Sequence, residues 1–142
     1  MRNFLRLFTL TIMLATCINS YSQMGITSYS INALAINTSQ NKKISGELKL
    51  FANRNLDEVM TEVNVFYNFK ARPYHRFSVG LGLNVVPLKE VDPIHAITLP
   101  AAIEIYPLQD FKRLSLLFEL TTEFTEDIFI RTMWGVRYSF ND

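Results

Sequence analysis

The chain has 142 residues, of which 49% are hydrophobic and 13% aromatic, and this composition excludes an intrinsically disordered protein. The length suits a single domain. The formal net charge is only +1 and no Lys/Arg-rich run occurs, which argues against a nucleic-acid partner.

The N-terminus has the composition of a secretory signal peptide. Arg2 and Arg6 precede an apolar stretch over residues 7–18, and small polar residues then lead to a plausible cleavage point before Gln23. The apolar stretch is shorter than the roughly 20 residues that a membrane-spanning helix needs. We therefore predict a signal peptide over residues 1–22 and one β-barrel domain over residues 23–142. The alternative is an uncleaved N-terminal anchor helix.

The single cysteine, Cys17, lies within the predicted signal peptide. A mature chain without cysteine cannot form disulfides, so its fold must be stabilised by the sheet itself. The stretch Leu14-Ala15-Thr16-Cys17 loosely resembles a lipoprotein processing site, which leaves lipidation of Cys17 as an alternative.

Apolar and polar residues alternate along most of the predicted mature chain, a period typical of β-strands. In segment 75–86, for example, Phe77, Val79 and Leu81 share one face, and Arg76 and Ser78 lie on the other. Segment 25–37 alternates more weakly, with Tyr29, Ile31, Ala33 and Ala35 on its apolar face. We identify seven such segments: 25–37, 43–53, 59–70, 75–86, 95–107, 113–124 and 127–140.

The connections between these segments are short and rich in Asn, Asp and Pro, which favour tight reversals. Consecutive strands joined in this way are antiparallel neighbours. The predicted fold class is therefore all-β, an antiparallel up-and-down meander that closes into a small barrel of seven or eight strands after the signal peptide.

The alternation leaves open which face meets water. A soluble barrel turns its apolar face inward, whereas a membrane barrel turns it outward into lipid. A barrel of about eight strands has little interior volume, and the apolar faces carry more large side chains than it holds. We therefore predict an outward apolar face.

The predicted polar face has small residues, which suit a crowded lumen, and charges of both signs, which must pair when they are buried. The charged residues of this face are Glu47, Glu62, Glu104, Glu119, Glu123, Lys49, Arg76, Arg131 and Arg137. We expect Glu119 and Glu123 to pair with Arg131 or Arg137 on the adjacent strand.

Aromatic residues lie toward strand ends, where membrane barrels have aromatic girdles. They are Tyr67, Phe69, Tyr106, Phe124, Trp134, Tyr138 and Phe140.

The final segment, Trp134-Gly135-Val136-Arg137-Tyr138-Ser139-Phe140, resembles the last strand of bacterial outer-membrane β-barrel proteins. The preceding signal, ending Ser20-Tyr21-Ser22-Gln23, is similar to those of such exported proteins. The resemblance implies a location in a Gram-negative outer membrane, with membrane lipid and the barrel assembly machinery as partners, and no particular activity. Two features depart from the family pattern: Asn141 and Asp142 follow the terminal aromatic, and seven segments make an odd number.

No group of residues in the sequence identifies a catalytic, cofactor-binding or metal site. A hydrolytic site could be assembled from His75, Arg76 and Ser78, but nothing in their spacing indicates one. Asp92 and His95 offer two metal ligands without a third. Gly80-Leu81-Gly82 lies inside a strand, where it is not a phosphate loop. We therefore predict no catalytic residue, no cofactor and no enzymatic activity.

Three functions remain. The leading prediction is a small outer-membrane barrel with a structural or interaction role and a lumen filled by side chains. The alternatives are a soluble periplasmic barrel that binds a small apolar ligand and a lipid-modifying outer-membrane enzyme. A porin is disfavoured because so small a barrel leaves no aqueous channel.

Overall fold

The computed structural model describes residues 24–38, 41–52, 59–86 and 94–140. Within these ranges the protein is all-β, and eight antiparallel strands pair in chain order and close into a barrel. The strands are β1 (Gly25–Tyr29), β2 (Ala33–Asn37), β3 (Ile44–Phe51), β4 (Met60–Asn68), β5 (His75–Val85), β6 (Ile94–Ile105), β7 (Leu114–Phe124) and β8 (Ile128–Ser139). The predicted meander and its closure are confirmed. The predicted signal peptide, with Cys17, lies outside the described residues.

The eighth strand comes from segment 25–37, which the sequence pattern presents as one strand. It is a hairpin, because the chain reverses between Tyr29 and Ala33. The reversal uses Asn32, which has a positive φ of 52°. Asparagine adopts this left-handed conformation more readily than most residues, so the turn forms without glycine or proline.

The conformation of Asn32 leads to a first prediction. Asn32→Val should lower the free energy of unfolding by about 1–2 kcal/mol, because a β-branched side chain is strained at positive φ. Asn32→Gly is the matched control and should leave stability nearly unchanged. Urea denaturation of the purified barrel measures both. Equal midpoints for the Val and Gly variants would show that this turn carries no conformational constraint.

The even strand number brings both chain ends to one end of the barrel. Gly25 pairs with Ser139, so β1 begins where β8 ends. We call this the termini end; the chain also reverses there through residues 38–43, 69–74 and 106–113. The opposite end has the other four reversals. β5 to β8 are 11 or 12 residues long and β1 and β2 only five, so β8 extends beyond β1 toward the opposite end.

The apolar face of β3 to β8 points away from the barrel axis. Val65, Leu81 and Trp134 have 56%, 59% and 58% of their surface exposed, whereas Lys49 and Glu62 are fully buried. The predicted orientation, polar inside and apolar outside, is therefore confirmed for these six strands.

In the hairpin β1–β2, the face that was predicted to point outward points into the barrel. Tyr29, Ala33 and Ala35 are buried inside the barrel, and Leu34 and Ile36 point outward. The inner face of the hairpin consists of small or polar residues and one phenol, namely Gly25, Thr27, Tyr29, Ala33, Ala35 and Asn37. Its polar side chains form hydrogen bonds inside the lumen.

The interior also contains an apolar cluster that the alternation analysis missed. Phe51, Phe66, Leu117 and Met133 are buried against one another together with the β1–β2 alanines and Tyr29. They occupy inward positions on β3, β4, β7 and β8. The lumen is thus a mixed core in which apolar side chains pack around charged ones.

Candidate functional site: the charged lumen

Eight charged side chains form a continuous series of ion pairs through the barrel interior. The series alternates in sign from the termini end to the opposite end, in the order Arg76, Glu104, Arg137, Glu47, Lys49, Glu62, Arg131 and Glu123. We call it the lumen charge ladder. A ninth charge, Glu119, joins it at its centre.

The centre of the ladder is Lys49, which has no exposed surface. Its Nζ lies 3.1 Å from Glu47 Oε1 and 3.0 Å from Glu62 Oε1, and it also pairs with Glu119. Glu62 faces Lys49 directly on the neighbouring strand, whereas Glu119 reaches across the lumen from β7. One ammonium therefore forms ion pairs with three carboxylates that come from three strands.

Tyr29 completes the set of groups around Lys49, which we call the Lys49 cage and which also includes Glu47, Glu62 and Glu119. Its hydroxyl lies 3.1 Å from Glu47 Oε2 and 3.2 Å from Glu119 Oε2, and its ring centroid lies 5.1 Å from the ammonium. The phenol thus donates to a carboxylate with its hydroxyl and offers its π face to the cation. Its inward position follows from this use of the hydroxyl.

Arg137 connects the Lys49 cage to the termini end. Its Nη2 is 3.2 Å from Glu47 Oε2 and its Nη1 is 3.3 Å from Glu104 Oε2, which also pairs with Arg76. Its Nε donates to Thr27 Oγ1 at 2.9 Å. A guanidinium suits this position because its donors diverge in one plane and each has a separate acceptor.

Arg131 forms the part of the ladder nearest the opposite end. It pairs with Glu62 and with Glu123, and its guanidinium carbon lies 4.7 Å from the centroid of the Phe51 ring. Its side chain is 16% exposed, so the ladder meets water here.

Two inward-facing glycines leave room for neighbouring groups in the crowded lumen. A Cβ atom on Gly82 would collide with Asn64 Oδ1 and would lie 2.7 Å from the Val63 carbonyl oxygen. A Cβ on Gly135 would lie 2.6 Å from the Ser28 carbonyl oxygen. No described glycine has a positive φ, so these two are needed for their lack of a side chain.

The lumen is filled rather than open. Among the described residues, a cavity of about 10 Å³ lies in the lumen, lined by Arg137, Glu104, Glu119 and Phe66 together with three further residues. That is about the space of one water molecule. The arrangement can hold charges rigidly inside the barrel, and this cavity among the described residues is too small for a ligand.

The predicted ion-pair partner is confirmed for Glu123 but not for Glu119. Glu123 pairs with Arg131 on the adjacent strand, as predicted. The expectation for Glu119 is wrong, because Lys49 reaches it from the far side of the lumen. The span of a lysine side chain across a narrow barrel is a long-range feature that strand alternation does not reveal.

Two of the seven aromatic residues are not placed as predicted: Trp134 points outward but lies in the middle of β8, and Tyr106 is buried. Tyr67, Phe69, Tyr138 and Phe140 are exposed near the termini end. Tyr106, which follows β6, is buried instead, and its burial beside the Glu104 carboxylate raises its pKa to about 12.

The residues of the hypothetical hydrolytic site are not brought together. Ser78 points into the lumen and donates to Asn68 Oδ1 at 2.7 Å, whereas His75 lies on the outward-facing side of the same strand. Arg76 is buried and paired with Glu104.

Of the two candidate metal ligands, His95 is exposed at the start of β6, and Asp92 lies outside the described residues. Among the residues that the structure describes, no cluster of three or more His, Cys, Asp or Glu side chains is arranged to hold a metal ion.

In the same part of the chain, no helix is long and apolar enough to cross a membrane.

No protein-family model, curated protein or solved structure matches this chain.

Proposed function

We propose that this protein is a small β-barrel of a Gram-negative outer membrane, with a structural or interaction role and no catalytic activity. The observation that carries the proposal is the reversed distribution of side chains, with charges buried in the lumen and large apolar side chains exposed around the outside. Soluble monomers rarely expose contiguous apolar patches larger than a few hundred Å². A hydrocarbon environment would cover this surface.

The strand lengths support the same proposal. β4 to β8 have 9 to 12 residues, and a tilted strand needs about 9–11 residues to cross a bilayer. Closure also supports it, because a closed barrel pairs the strand edges that an open sheet would expose to lipid.

The filled lumen favours a structural or interaction role over transport. The ladder runs through the described interior from the termini end to the opposite end, and the cavity of about 10 Å³ beside Glu119 cannot conduct hydrated ions. We therefore expect purified protein in planar bilayers to give no single-channel steps.

The soluble alternative needs an apolar interior with space for a ligand. The described interior is instead a mixture of charged, polar and apolar side chains, and the cavity among these residues has room for about one water molecule. The geometry therefore supports the membrane barrel better than a lipocalin-like carrier.

Cell fractionation gives the first test. Full-length protein expressed in a Gram-negative host should appear in the outer membrane and migrate faster on a gel when unboiled. Recovery in the soluble periplasm, with no difference on boiling, would contradict the proposal.

Trp134, the only tryptophan in the chain, provides a sharper test and a second prediction. It points outward on β8 with 58% of its surface exposed, so lipid chains should surround it in vesicles. We expect acyl-brominated phosphatidylcholine to quench most of its fluorescence and aqueous iodide to quench little.

Two relocated tryptophans control this measurement. In Trp134→Phe/Phe118→Trp the indole moves to the directly opposed outward position on β7, and bromolipid quenching should persist. In Trp134→Phe/Tyr74→Trp it moves to the connection at the termini end, and bromolipid quenching should fall. Strong iodide quenching at positions 134 and 118 would exclude a lipid-facing surface.

A further inference from the structure

The connections at the two ends of the barrel carry opposite charge. Those at the termini end contain six Lys or Arg residues and one Asp, in the segments 38–43, 69–74 and 106–113. The chain segments that link the strands at the other end contain two basic and six acidic residues, in 30–32, 52–59, 86–93 and 125–127. The termini end is therefore the one that attracts anions.

Four of these cations line two adjoining clefts at the termini end. A cleft of about 380 Å³ is lined by Lys42, Lys43 and Lys70 together with outward aromatic residues. It shares Lys70 with a second cleft of about 740 Å³, which Arg72 also lines. We call the two together the basic rim.

Hydrogen bonds fix the backbone of the basic rim. The Asn68 backbone N–H donates to the Lys43 carbonyl at 2.7 Å, and its Nδ2 donates to the Lys42 carbonyl at 2.9 Å. In the other connection, the Arg72 N–H donates to the His75 carbonyl at 2.8 Å. The cations therefore project from ordered backbone, so less conformational entropy is lost on binding.

The positive charge of the basic rim is not neutralised within the described part of the chain. Lys42, Lys43, Lys70 and Arg72 are exposed, and none of them forms an ion pair with a carboxylate there.

An apolar surface continues from the basic rim along the outside of the barrel. The Phe69 ring lies 5.2 Å from that of Tyr67 and 5.6 Å from that of Phe77, measured between centroids, and all three side chains are about half exposed. Val65 and Val79 extend this surface toward the middle of the barrel. Charge and apolar surface thus meet in one continuous patch.

We propose that the basic rim binds the phosphate group of an anionic membrane lipid, whose acyl chains lie along Tyr67, Phe69 and Phe77. This inference rests on the proposed membrane location and adds a lipid class to it. Lysine and arginine side chains form charge-assisted hydrogen bonds to phosphate oxygens, and basic clefts at a membrane surface select anionic headgroups. A free phosphate ion would bind the cations of the basic rim but would leave the adjoining aromatic surface uncovered, so a lipid fits the whole patch better.

The test is lipid binding by the full mature chain, purified in neutral detergent and titrated in native mass spectrometry. Phosphatidylglycerol is the anionic probe and phosphatidylcholine the neutral-headgroup comparison. The test variant is Lys42→Gln/Lys43→Gln/Lys70→Gln. The control, Arg54→Gln/Lys89→Gln/Lys112→Gln, removes equal charge outside the basic rim. A third variant, Lys42→Arg/Lys43→Arg/Lys70→Arg, keeps the charge.

We expect the unmodified barrel to prefer phosphatidylglycerol by about tenfold or more. The triple Gln variant of the basic rim should lose this preference, and the control and triple Arg variants should keep it. Equal loss in the test and control variants, or no preference in the unmodified barrel, would overturn the inference. Displacement of the lipid by millimolar inorganic phosphate would also overturn it.

Gel mobility and Trp134 quenching separate this inference from the proposed function. A chain that stays in the periplasm or fails the quenching test overturns both. A barrel that passes both tests and shows no headgroup preference overturns the lipid-phosphate site alone.

Discussion

Replacing Lys49 with methionine should lower the free energy of unfolding by about 3–5 kcal/mol, the largest effect we expect from a single substitution. Methionine has a similar length but no charge. Glu47, Glu62 and Glu119 would then lie close together in a lumen without their shared cation. Water cannot compensate them, because the cavity beside Glu119 holds about one molecule.

Chaotrope unfolding of the vesicle-inserted barrel measures this loss through the boiling-sensitive gel shift. Lys112→Met is the matched control, because Lys112 is exposed in the 106–113 connection. It should change stability by less than about 0.5 kcal/mol. Equal stability of the two variants would mean that the three carboxylates do not depend on Lys49.

A second substitution tests the ion pair between Glu119 and Lys49. Adding Glu119→Gln to Lys49→Met removes one of the uncompensated charges and should restore part of the lost stability. Adding Glu126→Gln, at an exposed acid in the 125–127 reversal, should restore nothing. If both additions acted alike, the effect would come from overall charge rather than from contact.

Strand identity could be predicted from the sequence because a two-residue period is a local signal. Each of β3 to β8 alternates long enough to fix both its existence and its outward face. The β1–β2 hairpin was missed because its strands have five residues each and its turn uses Asn32 rather than Gly or Pro. Tyr29, taken as an apolar position, points inward because its hydroxyl bonds to carboxylates.

The members of the charged lumen could also be predicted, but most of its contacts could not. Alternation identifies which charges point inward, and the Glu123–Arg131 pair follows from adjacency in the sheet. The contacts of Lys49 with Glu119 and of Arg137 with Glu47 depend on closure, which brings distant strands face to face. Closure geometry depends on strand stagger, which a single sequence does not specify.

The basic rim illustrates the same limit. Its cations come from two connections that are separated in the chain by β3, the 52–59 connection and β4. Each connection alone has the composition of an ordinary polar turn. The hydrogen bonds from Asn68 to the Lys42 and Lys43 carbonyls, and the cleft that both connections line, show that the two connections lie against each other.

Gly82→Ala should destabilise the barrel by about 1–3 kcal/mol, although alanine normally strengthens a strand relative to glycine. Gly82 faces the lumen, and an added methyl group would displace the Asn64 amide and press on the Thr98 hydroxyl, which donates to Asn64 Oδ1 at 3.2 Å. It would also meet the Val63 carbonyl oxygen, which is part of the sheet and cannot rotate away.

Gly46→Ala is the same chemical change on the outward face of β3, where the nearest atom to an added Cβ is 3.9 Å away. Its stability should stay unchanged or rise by up to about 1 kcal/mol, because alanine restricts the unfolded chain more than glycine does. The two variants compared in one unfolding experiment isolate the effect of lumen crowding. Equal stability would mean that the lumen accepts another methyl group, and the barrel would then be more loosely filled than its cavity volume indicates.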